Sequence, residues 1–318
     1  MMTGRSMRRP GLVLGLVFMM VLGARLAGAQ PTVDREALLR HVQRLADDRL
    51  EGRATGTGGG RAARDYVRDA FRQIGLQPFG DFVHPFRFTD REGRDLQGYN
   101  VMGFVPGTQR NDLYMVVTAH YDHLGLRDGV VYNGADDNAS GVAVLLAAAA
   151  YFKAHPPRHP IVFVALDAEE RGLRGARAFF DDPPIDPDRI ALNVNLDMVS
   201  RSDRNELFAS GTYHYPFLTP LLEPVRARSS VHLRFGHDRP EDGHDDWTMA
   251  SDHGVFHQHG IPYLYFGVED HPDYHRPTDD FEAIPQDFFV RSATTILDAL
   301  ITLDAHREAI RAGAQRKD

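Results

Sequence analysis

Five short stretches of this chain concentrate acids and imidazoles: "AHYDHLG" (119–125), "NGADDNASG" (133–141), "LDAEERGL" (166–173), "NLDM" (195–198) and "DYHRPTDD" (273–280). The chemistry open to them is narrow. The chain has no cysteine, which excludes a thiolate ligand, a disulfide framework and a cysteine nucleophile. Any metal must be held by His, Asp and Glu. Zinc accepts imidazole nitrogen and carboxylate oxygen, and hydrolytic zinc sites keep one position open for water. Two zincs about 3.5–4 Å apart need a carboxylate or a water between them, which an acid-rich chain can supply. One such cluster would be an ordinary polar loop; five in series point to a site. Glu169 and Glu170 are adjacent, and side chains of neighbouring residues at a strand end point to opposite sides. One can then bind metal while the other reaches water.

These clusters need elements to bring them together. Residues 114–119, 161–166, 190–196 and 261–266 read as strands, and 141–153 as a helix. The alternation predicts an α/β fold, a central mixed, largely parallel β-sheet sandwiched between helices, with sites at the carboxyl ends of the strands. Upstream, 36–77 reads as two helices. Leu38, Leu39, Val42 and Leu45, then Ala63, Tyr66, Val67, Phe71 and Ile74, recur at helical spacing, with the glycine-rich 56–60 separating the two. No repeat and no long linker divides the chain.

The chain has 318 residues, 42% of them apolar, and a formal net charge of −8. Arg5, Arg8 and Arg9 precede an uncharged apolar run, 11–23, that leads to Ala27-Gly28-Ala29. Residues 1–29 therefore read as a signal peptide and 30–318 as a single domain that is secreted or periplasmic. The apolar run is short for a membrane span, and Arg25 follows at once. The segment carries four basic residues and no acid, so its removal takes the charge from −8 to −12. Nucleic acid and anionic membrane, which reward basic patches, are poor partners for such a surface.

In this order, "HYD", "GADDNASG", "AEERGL", "NLDM", "SDH" (251–253), "GIPYLYF" and "YHRPTDD" resemble the secreted di-zinc aminopeptidases of bacteria, a family on the same fold as glutaminyl cyclases. The resemblance covers most of the chain and reaches upstream through "LEGRATGTGGGRAARDYV" (50–67). Only a short stretch joins Phe86 to Asn100, so the protease-associated domain of some relatives is not expected. The resemblance implies a metallo-aminopeptidase with two Zn2+ ions acting on peptides with a free amino terminus. It implies His120 and Asp197 on one zinc, Glu170 and His275 on the other, and Asp137 bridging both. Asp137 is preferred to Asp136 because it directly precedes Asn138. It further implies a cis peptide after Asp137, Asp122 orienting His120, and Glu169 as the general base. Tyr274 either holds the tetrahedral oxyanion or only packs. Two rivals share the scaffold: a single-zinc glutaminyl cyclase, whose relatives replace "DDNASG", and a non-catalytic binding module, whose relatives lose ligands.

Other features read more plainly. His253, His257 and His259 lack the adjacent glutamate of a helical metalloprotease motif and read as structural. The stretch 236–247 reads as solvated surface, with the rim of a substrate cleft as its alternative role. Asn138-Ala139-Ser140 is a glycosylation sequon inside the proposed metal loop, where sugar is not expected. Ala176 replaces the serine usual in the family, a departure that bears on packing.

Overall fold

The four apolar runs become the centre of the sheet because each is covered on both faces. In the computed structural model, which describes Met1 and residues 31–109 and 113–316, β1 (Val83–Thr89) and β2 (Asp95–Val105) form a hairpin. Then come β3 (Tyr114–His120), a small ribbon of β4 (Gly125–Arg127) and β5 (Val130–Tyr132), β6 (Ile161–Leu166), β7 (Ile190–Leu196), β8 (Glu206–Ser210), β9 (His232–Phe235) and β10 (Tyr263–Gly267). The main sheet runs β1-β2-β6-β3-β7-β10-β8-β9. Its middle strands β6, β3, β7 and β10 are parallel, while β2 and β8 flank them antiparallel. The carboxyl ends of β3, β6, β7 and β10 thus meet at one rim. The segment read as a signal peptide, Met1 apart, lies outside the described residues.

Along β6 the pleat sorts side chains between two cores. Ile161, Phe163 and Ala165 pack with α1 (Arg35–Leu45), α2 (Gly58–Ile74), α3 (Gly141–Ala154) and α7 (Gln286–Ala305). Val162, Val164 and Leu166 face Ala176 and Phe179 of α4 (Arg174–Asp181) and Val255 and Phe256 of α6 (His253–Gln258). Burial on both faces is what makes these strands read as continuous apolar runs. Ala176 is fully buried in the second core. Among the described residues no helix is long and apolar enough to cross a membrane.

The glycine-rich stretch differs from its expected role. Gly58, Gly59 and Gly60 do not separate the helices; they form the first turn of α2, capped by the Thr57 hydroxyl, which accepts from the Gly60 N–H at 3.1 Å. The physical reason is close approach: a Cβ on Gly59 or Gly60 would collide with the carbonyls of Leu50 and Ala54. The separation is made instead by a 3-10 turn, Asp48–Arg53.

Candidate metal centre

His120 closes β3, Asp197 follows β7, and both deliver their polar atoms to the carboxyl rim. The His120 Nδ1–H donates to the Asp122 carbonyl at 3.1 Å, which orients the ring and turns Nε2 toward the carboxylates. That Nε2 lies 3.2 Å from Asp197 Oδ1 and 3.4 Å from Asp137 Oδ1. On the other side, His275 Nε2 lies 3.1 Å from Asp137 Oδ2 and 3.5 Å from Glu170 Oε1. The Asp137 carboxylate therefore sits between two donor sets, one oxygen to each.

Asp136 is turned away. Its Oδ1 accepts from the Ser200 N–H at 2.7 Å and the Ser200 hydroxyl at 2.6 Å, and its Oδ2 faces His271 Nε2 at 3.1 Å. Asp279 holds the loop from below, accepting from the N–H groups of Asp136 at 3.0 Å and Asp137 at 3.1 Å. The Asp137–Asn138 peptide is cis. Asn138 is fully buried, its amide N–H donating to the Leu196 carbonyl at 2.9 Å, which leaves no room for a sugar.

Two local expectations are corrected. Glu169 and Glu170 do not continue β6; they lie in a turn entered through Ala168 at φ 60°, so the strand pleat does not aim them. Asp122 aims them instead, since its carboxylate accepts from the Glu169 N–H at 3.0 Å and the Glu170 N–H at 3.3 Å. That carboxylate is 3.8 Å from His120 Nδ1, too far to orient the ring, a task its own backbone carbonyl performs. Left-handed backbone, uncommon outside glycine, also occurs at Met198, next to Asp197, and at His275 itself. Such conformations cluster where a chain must aim side chains.

The rim holds more acid than it can neutralise. Burial pushes the Glu169 carboxyl well above the usual carboxylate range; His120 opposes the shift, and Asp252, Asp197 and Glu170 add to it. Burial lifts the Asp252 carboxyl to about 7, against His120 and with Asp197 adding. Arg53 lies fully buried beneath, where it donates to the carbonyls of Tyr121, Leu45, Asn133 and Gly134 and so ties the loops together. Buried His123 and Glu170 Oε1 have no hydrogen-bond partner among the described residues. Two three-residue groups, His120/Asp137/Asp197 and His123/Asp137/Glu170, each bring their ligand atoms within 4.8 Å of one another. This N/O donor set, short of positive charge, fits zinc.

The sequence reading did not assign Arg53, His123, Asp252 or Asp279. Arg53, Asp252 and Asp279 sit inside motifs that carry the resemblance, but no local pattern tells what their side chains reach. The Tyr274 ring stacks on His275 with centroids 4.0 Å apart. The histidines read as structural are scattered: His253 faces the Trp247 carbonyl at 2.8 Å, His257 the Tyr215 hydroxyl at 2.7 Å, and His259 stacks on Phe180. The stretch 236–247 is less of a solvated loop than expected. Asp238 is buried and accepts from the Gly211 and Tyr213 N–H groups, and His237 stacks on Trp247.

The model of "Peptidase family M28" matches residues 100–300, which contain every proposed ligand. The chain belongs to peptidase family M28. It is similar to "Aminopeptidase YwaD" of Bacillus subtilis, 30% identical over 216 residues that cover 63% of this chain and 42% of that protein. Among solved structures it resembles BSAP, a zinc aminopeptidase from Bacillus subtilis, at a TM-score of 0.70 and 17% identity, covering 86% of this chain and 96% of that one. It also resembles the Porphyromonas gingivalis glutaminyl cyclase, at a TM-score of 0.68 and 18% identity over 84% of this chain and 98% of that one. At such identities the structural likeness of this M28 chain speaks for the fold, a mixed sheet with a parallel centre flanked by helices. The chain spans about half the length of the curated relatives it matches.

Proposed function

We propose that this M28 chain is a two-zinc aminopeptidase, with His120 and Asp197 holding one Zn2+, Glu170 and His275 the other, and Asp137 shared. One observation carries the reading: the two oxygens of a single buried carboxylate, Asp137, face imidazole nitrogens on opposite sides, at 3.4 Å and 3.1 Å. A single-zinc cyclase has no use for that arrangement, and a binding module has no need of five converging donors. When bound, zinc polarises the scissile carbonyl and acidifies the attacking water.

The chain's own residues do the rest. Glu169, held at the rim by the Asp122 carboxylate through its N–H, takes the water's proton and returns it to the departing amine. Tyr274, stacked on His275, offers its hydroxyl to the carbonyl oxygen as charge develops there. The excess of acid at the rim draws the ammonium of a free amino terminus. Residues 1–29 act as an export signal in this reading, so the protein works outside the cytoplasm.

A panel of amino-acid arylamides, amino-blocked peptides and glutaminyl peptides, assayed with zinc and with chelator, tests the proposal. Zinc-dependent cleavage confined to free amino termini is the expected result, with two zinc ions bound per chain by metal analysis. One tight zinc together with cyclisation of glutaminyl peptides would replace the reading with the cyclase.

A further inference from the structure

We infer that His123 is also a metal ligand, so that the Glu170 half of the centre is closed by four protein groups, His123, Asp137, Glu170 and His275. The inference rests on the two-zinc reading and adds a ligand to it. Its starting point is a buried imidazole with nothing to do. The His123 side chain has no solvent exposure, and its Nδ1 and Nε2 are both without a hydrogen-bond partner. Leaving such a group unpaired in the interior is unfavourable.

Distances say where it is aimed. His123 Nδ1 lies 2.9 Å from Glu170 Oε1 and 3.6 Å from Asp137 Oδ2. His275 Nε2 approaches the same two oxygens, at 3.5 Å and 3.1 Å. Ligand atoms around a tetrahedral zinc with bonds of about 2.1 Å are separated by about 3.4 Å, and all four spacings scatter around that value. Although His123 Nδ1 is 2.9 Å from Glu170 Oε1, the pair lacks the alignment of a hydrogen bond. The far nitrogen, Nε2, is unpartnered whether Nδ1 binds a metal or orients Glu170, so it does not decide between the two.

The chain also keeps space for this ring. Gly134 has φ 56°, and a Cβ there would run into the His123 ring as well as the Asp137 carbonyl. The glycine of "NGADD" thus seats His123 beside the loop that carries Asp137. The two halves of the centre then differ in kind. The His120–Asp197 half has three protein ligands and keeps a position for water or substrate; the Glu170 half is closed and serves to hold its ion.

The test is competition with a chromophoric chelator on the full chain, made metal-free and titrated with zinc. His123→Phe, His123→Gln and Glu170→Gln are compared with wild type after thermal melts of the metal-free proteins. Both His123 variants should weaken one of the two binding steps by at least tenfold and leave the other within about threefold. His123→Gln can still hydrogen-bond Glu170, so wild-type affinity in that variant would overturn the inference and make His123 a positioning residue. Should the variants not fold, zinc-loaded wild-type crystals measured at the zinc edge decide the matter. A His123 Nδ1–zinc distance of about 2.0–2.3 Å upholds the inference, and one beyond about 3 Å overturns it. Fewer than two zinc ions on wild type, or a Glu170→Gln variant with both steps intact, would instead sink the two-zinc reading on which the inference stands.

Discussion

The two ends of the same parallel strands bury the same residue types with opposite outcomes. At the amino rim, Arg307 donates to the carbonyls of Leu113 at 3.1 Å and Pro160 at 3.4 Å, just before β3 and β6, and to Asp304 at 3.2 Å. Asp304 also accepts from the N–H groups of Arg158 at 2.7 Å and His159 at 3.1 Å. An acid, a cation and an imidazole are buried there and pair with one another, leaving Arg307 Nε as the buried atom of the three without a hydrogen-bond partner among the described residues. At the carboxyl rim, Asp137, Glu169, Glu170, Asp197 and Asp252 crowd together, and Glu170 Oε1 and both oxygens of Asp252 have no hydrogen-bond partner among the described residues. A buried polar cluster is therefore not in itself a site. Imbalance of charge and unmet bonds mark the rim that needs something from outside the chain.

The largest effect expected separates two neighbours on the carboxyl rim. Glu169→Gln keeps size and hydrogen-bonding capacity but removes the base, so turnover should fall by about 10²–10⁴ with both zincs retained and substrate binding little changed. Glu170→Gln removes a charged ligand, so its loss should come with weaker occupancy of one zinc, partly restored by added metal. Metal analysis beside steady-state kinetics checks both. Equal metal content and equal, modest losses would mean that neither role is assigned correctly.

Breaking the amino rim should have the opposite signature. Arg307→Met leaves Asp304 buried without its cation, and losing one partner of a buried pair costs about 3–5 kcal/mol of stability. Zinc content and the rate per folded molecule should not change. Denaturant melts with and without zinc sharpen the contrast. At a hundredfold excess over its dissociation constant zinc adds about 2.7 kcal/mol, and the variant should gain as much as wild type. A variant that lost its zinc response would show that the two rims are coupled through the strands.

What was legible in the sequence follows from the same physics. The strands β3, β6, β7 and β10 are covered on both faces and announce themselves as apolar runs; β3 and β10 each run one residue beyond their expected ends, and the larger error is at the start of β10. That strand begins at Tyr263 rather than residue 261, although the Pro262 carbonyl already accepts from the Asn193 N–H at 2.8 Å. The outer strands β1 and β9 are half exposed, β9 is only four residues long, and neither carries a run to read. Residues at strand ends, such as His120 and Asp197, were legible because the strand predicts where they go. Arg53 was not, since it reaches carbonyls as far as 81 residues away. The aim of Glu169 and Glu170 was misread because a left-handed Ala168 and the Asp122 carboxylate, 47 and 48 residues upstream, replace the strand pleat.

The smallest effect belongs to an imidazole on neither rim. His41, on α1, beside a cavity of about 940 Å³ lined also by Tyr66 and Tyr151, lies 2.7 Å from the Tyr66 hydroxyl through its Nδ1. Burial pulls its pKa down from 6.5 to about 4, Arg40 adds to the shift and Asp34 opposes it. The folded chain thus keeps His41 neutral, able to accept from Tyr66, over a range where the unfolded chain protonates it. Its contribution to stability is complete above pH 6.5 and is lost as pH falls from 6.5 to about 4. The upper bound is about 3.5 kcal/mol, at about 1.4 kcal/mol for each tenfold change in proton affinity. Urea melts of metal-free wild type and His41→Gln between pH 7 and pH 4 isolate this share, because every rim group is common to both chains. Wild type should lose more stability than the variant over that interval. Parallel curves would place the acid sensitivity at the rims, where protonating the crowded carboxylates would then account for all of it.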